Sequence, residues 1–119
     1  MSTTLEKFQG AALSLTRLGS IKDRLTEAYR NHLALVDEDE LPTDLREEFR
    51  AFGRTLTRER PLLRGEDAFR ATVRKMSNEE AAEAASRVVR MFAAISCRAE
   101  HAEWAKPAQM AMPLYAAEA

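Results

Sequence analysis

Cys97 is the only cysteine in the chain, so an intrachain disulfide is excluded and a reducing compartment is the simpler home. Charge of one sign is also lacking. Lys and Arg nearly balance Asp and Glu, and the net charge of -1 exerts no global pull on nucleic acid or an anionic membrane; any such affinity must come from a local patch. Long apolar runs are missing as well. The opening "MSTTLEKFQGAALSL" has no basic leader, and its apolar stretch is too short and too interrupted for a signal peptide or a membrane span, so the expectation is a cytoplasmic protein with no membrane contact. With only four Gly, four Pro and 7% aromatics, the abundance of Ala, Leu, Glu and Arg points to helix, and no segment alternates as a strand would.

Signatures of known chemistry are scarce too. There is no glycine-rich phosphate loop, no nucleophile elbow, and neither an H-E-x-x-H nor an E-x-x-H pattern. The carboxylates Glu79, Glu80 and Glu83 fall in the first turn of a helix, where a dipole role accounts for them. Cys97 and His101 share a helix face at a spacing that suits two metal ligands, but two ligands do not complete a site. The reading therefore leans away from an enzyme, with no cofactor and no metal.

What is present is a set of helix signals. Thr3 with Glu6 opens a first helix over about Thr4 to Leu18, weakly amphipathic and closed by Gly19. Ser20 caps a second to about Val36, with Ile21, Leu25, Ala28, Leu35 and Val36 on one side. Pro42 breaks the chain and Thr43 is the expected cap of a third, Asp44 to Arg58, carrying the narrow stripe Leu45, Phe49, Phe52 and Leu56. A short fourth from about Glu66 to Lys75 buries Phe69, Thr72, Val73 and Met76. Ser77 with Glu80 then starts a fifth at Asn78, whose seam Ala81, Ala85, Val88, Phe92, Ile95 and Ala99 continues toward Trp104 over roughly 40 Å.

These elements imply an all-α fold: a compact bundle of four to five helices over 1–105, with a long C-terminal helix and a short irregular Pro/Met/Ala-rich tail over 106–119. The second, third and fifth helices are expected to supply the core, centred on Leu25, Phe49, Phe52, Leu56, Phe69, Val73, Val88, Phe92 and Ile95. His32 falls on the apolar side of the second helix, where a buried ring needs a hydrogen-bond partner.

The sharpest surface feature is an arginine at every fourth position, Arg46, Arg50, Arg54 and Arg58, on the side of the third helix opposite its apolar stripe. Like charges at this spacing repel, so the row is either neutralised by acidic segments, "DEDE" or Glu79, Glu80 and Glu83, or offered to an anion. Base-specific DNA recognition by the fourth and fifth helices is disfavoured, because Glu79, Glu80 and Glu83 would face phosphates. The expected function is a small helical interaction or regulatory protein that binds another macromolecule, most simply a protein, and forms a homodimer through the last helix and tail. Arg50, Arg54, Arg58, Arg64, Met110, Met112 and Tyr115 are the partner-binding candidates. Nucleic-acid backbone binding through the arginine face is the alternative.

Overall fold

Capping decides where the helices begin. The computed structural model describes residues 3–104, with side chains as far as residue 98; the expected tail, with Met110, Met112 and Tyr115, lies outside the described residues. Helix α1 spans Thr4–Ser14, α2 Ile21–Asn31, α3 Thr43–Leu56, α4 Ala68–Lys75 and α5 Asn78–Trp104, and no strand occurs among the described residues. The Thr3 hydroxyl accepts the Glu6 amide while the Glu6 carboxylate accepts the Thr3 amide, closing a reciprocal box that Ser77 and Glu80 repeat before α5. Ser20 and Asp67 cap α2 and α4 through the amides of Asp23 and Arg70.

Several boundaries differ from the periodicity, among them the end of α3 at Leu56 instead of Arg58 and the start of α4 at Ala68 instead of Glu66, where Asp67 takes the cap. Helix α1 stops at Ser14 instead of near Leu18, because Thr16 turns its amide and hydroxyl onto the Leu13 carbonyl. Arg24 of α2 then holds the carbonyls of Leu15 and Gly19, at 2.6 and 3.1 Å, and Gly19 turns the chain at φ 112°. Helix α2 ends at Asn31 instead of near Val36, and a 3₁₀ turn over Leu33–Leu35 buries Leu33 while leaving Leu35 exposed. At α3 the cap position belongs to Pro42, and Thr43 is the first helical residue with no capping bond from its side chain.

The core gathers Phe8, Ala11, Leu25, Ala28, Phe52, Leu56, Ala81 and Val88, all fully buried, with Phe49, Phe92 and Ile95 packed against it. Its largest departure from expectation is α1, which packs against both α2 and α5. Phe8 is completely enclosed and meets Phe49 edge-on at 5.7 Å between centroids. The weak amphipathicity of α1 hid this role, since Gly10 and Ala11 add little to an apolar moment yet permit close approach.

His32 is corrected too. It ends α2 half-exposed, and its ring lies over Gly10 so closely that a Cβ there would fall 2.6 Å from the imidazole. Gly10 is the space the ring needs. The seam of α5 is likewise broader than the heptad: Ala84 and Met91 join Ala81, Ala85 and Val88 as buried positions. That width matches a helix covered by its own chain, and contact persists to Ile95 in the core and to Arg98, whose guanidinium meets Asp44 of α3 at 2.5 Å.

Candidate interaction surfaces

The four arginines of α3 part company in three dimensions. Arg46 is half-buried and donates to the carbonyls of Glu38, Asp39 and Leu41 at 3.1, 3.3 and 3.0 Å, so it holds the acidic 3₁₀ turn Glu38–Glu40 against the helix. The expectation of a uniformly outward ridge fails at this residue. Arg50 pairs with Glu38 at 2.8 Å, and Arg58 reaches Glu80 at 3.1 Å and Glu59 at 3.6 Å. Arg54 is exposed and forms no ion pair among the described residues. Local like-charge repulsion is thus relieved by the acidic segments expected to neutralise the row, Glu38 of "DEDE" and Glu80.

Arg64, the remaining cationic candidate, lies away from this ridge, in the connection between α3 and α4. It lines a shallow cleft of about 470 Å³ with Lys22, Leu63, Glu66, Arg70 and Arg74. Beside it, the Asp67 carboxylate caps α4 and takes Arg30 of α2 at 2.6 Å, and Arg30 also covers the Phe69 ring that stacks on Tyr29. The amide of Arg70 is the first cause, and Arg30 the second, of an Asp67 carboxyl held below its usual value.

Glu66 is the organising group of the connection. Its carboxylate accepts both Nε and a terminal nitrogen of Arg74, at 2.7 and 3.1 Å, and the amides of Leu62 and Leu63 at 3.2 and 3.3 Å. The Arg74 bond dominates, and the carboxyl falls from 4.5 to about 2. Because the unfolded chain binds this proton more readily, the stabilisation is fully present above about pH 4.5 and is lost as pH falls toward 2. Urea melts across that window are expected to show wild-type stability falling with acid, and a smaller fall for Glu66→Gln. Parallel curves would remove Glu66 as a source of acid sensitivity, since Glu6, Asp67 and Glu80 are lowered in both proteins.

A second surface lies between the α1–α2 turn and α5. Ala12, Leu15, Ile21, Ala85 and Val89 line an open groove of about 480 Å³ with Arg24 and Arg90 beside them. Val89 is 47% exposed, and the carboxylate that Arg90 meets is Glu83 of its own helix. Periodicity missed this groove, because it forms where the early end of α1 brings an otherwise unremarked Val89 beside Leu15 and Ile21.

At the junction of α4 and α5, Asn78, Glu79, Glu80 and Glu83 are all exposed, so the leading end of α5 presents carboxylates. Cys97 is exposed, and the side chain of His101 lies outside the described ones. Among the described residues no three His, Cys, Asp or Glu side chains group as metal ligands, and no helix is long and apolar enough to cross a membrane. Comparisons with protein-family models, with curated proteins and with solved structures return no match to this chain.

Proposed function

We propose that this chain is a small helical interaction protein, regulatory in character, that acts by binding another macromolecule and associates with itself through α5. The observation that carries this reading is the groove at Val89. It sets apolar side chains of three helices around a half-exposed valine, on backbone held by Arg24, without a covering segment among the described residues. Apolar surface on a firmly held scaffold favours association, since little ordering entropy remains to oppose it.

Sedimentation of the full chain over a concentration series tests this. A dimer is expected, and Val89→Glu is expected to yield a monomer with an unchanged thermal melt, because the substituted side chain is half-exposed in the single chain. A chain ending at Lys106 reports separately on the tail. A wild-type monomer at every concentration would end the self-association reading.

Polyanion binding through α3 is the competing reading, resting on exposed Arg54. Against it stand the internal partners of Arg46, Arg50 and Arg58, each of which a phosphate would have to displace. Salt distinguishes the two, since phosphate contacts weaken steeply between about 50 and 200 mM and an apolar interface does not.

A further inference from the structure

We infer that the Pro61–Glu66 loop, with the cleft beside it, is a docking surface for an acidic peptide segment of a partner protein, one that also carries apolar side chains. This deepens the binding half of the reading above and is independent of self-association, which was placed on α5.

Two neighbouring leucines stand out into solvent: Leu62 is 67% and Leu63 57% exposed. Exposed leucines in an ordinary loop carry no message, but these stand on backbone that is tied down. Glu66 accepts both of their amides, the Leu63 carbonyl accepts the Glu66 amide at 3.1 Å, and Gly65 closes the turn at φ 77°. The Glu66 side chain is only 7% exposed and is locked in place by the fork of Arg74. A nearly buried carboxylate, paired with the exposed Arg74, is thus devoted to shaping a loop whose leucines add little to the core. Such an arrangement fixes the apolar pair before a partner arrives and lowers the ordering entropy of binding.

Charge selects the partner. Lys22, Arg64, Arg70 and Arg74 line the cleft against Asp23 and Glu66, and Glu66 is already neutralised by Arg74. Among the described residues Arg64 and Arg70 are exposed and form no ion pair, while Lys22 donates to the Arg74 carbonyl in the last turn of α4. This local cationic excess belongs to a chain whose net charge is -1, so it is placed there, not inherited from composition. The volume of about 470 Å³ accommodates one or two side chains, and Val73 with Leu63 supplies its apolar lining. Carboxylates meeting Arg64 and Arg70 beside an apolar anchor on Leu62 and Leu63 satisfy both halves of the surface. A nucleic-acid backbone leaves the leucines uncovered, and a membrane surface is too flat to enter a cleft.

The probe is a short fluorescein-labelled peptide of glutamates with two leucines one helical turn apart, followed by fluorescence anisotropy with the full chain. Binding is expected, with a loss of about tenfold or more in Leu62→Ser/Leu63→Ser and again in Arg64→Ala/Arg70→Ala. All four substituted side chains are exposed, so thermal melts of both variants should match the wild type; Leu62→Ser alone and Arg64→Ala alone serve as second variants if a pair does not fold. A peptide with serines for its leucines should bind more weakly. Absence of peptide binding, or equal binding by all variants, overturns the assignment. So does tighter, competing binding of a single-stranded oligonucleotide or of phosphatidylserine vesicles. Retained peptide binding by a monomeric chain would uphold the loop while ending self-association, and the opposite pattern would end the loop alone.

Discussion

Phe8→Ala is expected to lower the unfolding free energy by about 3–5 kcal/mol, measured by urea denaturation followed by circular dichroism. The magnitude comes from complete burial: the ring loses its transfer free energy, and the enclosing helices leave a cavity that relaxes only in part. A domain of this size typically has about 5–15 kcal/mol to lose, so the variant should be close to unfolding at room temperature. Leu13→Ala, at an exposed position of the same helix, is the control and should remain within about 0.5 kcal/mol of the wild type. A loss below about 1 kcal/mol for Phe8→Ala would mean that α1 is not part of the cooperative core and that Phe49 has another neighbour in solution. The experiment thus addresses the packing of α1 between α2 and α5, on which the groove at Val89 also depends.

Arg46→Ala should cost about 2–3 kcal/mol, whereas Arg54→Ala, two turns further along the same helix, should change stability by less than about 0.5 kcal/mol. The difference follows from partners. One guanidinium answers three main-chain carbonyls, and truncating it leaves those of Asp39 and Leu41 to water, while the Glu38 carbonyl keeps the Leu41 amide and the turn stays tied to α3 through the Arg50–Glu38 pair. Arg46→Lys should recover only part of the loss, because an ammonium cannot reproduce the planar fork that reaches several carbonyls at once. Equal effects at Arg46 and Arg54 would mean that the row acts as one solvated ridge after all. The same pair of variants bears on polyanion binding, since Arg54 is the member of the row with its charge still available.

The arginine row shows how far pattern reading reaches. A spacing of four places Arg46, Arg50, Arg54 and Arg58 along one side of a helix, and the apolar stripe Leu45, Phe52 and Leu56 is indeed buried opposite. Which arginine is engaged depends on where Glu38 and Glu80 come to rest, and those residues are 12 and 22 positions away from their partners. The loop at Pro61–Glu66 repeats the lesson. Proline and glycine mark it as a connection, but Glu66 as the acceptor of two leucine amides and Arg74 requires α4 to fold back first. His32 and α1 depart from the helical wheel for a related reason: a wheel scores residues one helix at a time, while Gly10 and Ala11 matter through what they allow a neighbour to approach.

The amino-acid order by itself determined the all-α class, the starts of α1, α2 and α5, the stripe of α3 and the buried face of α4, because caps and 3.6-residue periodicity are local properties of a chain. Tertiary structure decided that α1 belongs to the core, that Arg46 faces main-chain carbonyls, and that Val89 and Leu63 each border an open surface. The carbonyls that Arg46 meets lie only 5 to 8 positions back, across the break at Pro42, while the other outcomes rest on contacts between residues far apart in the chain; in each case only the folded arrangement brings the partners within reach.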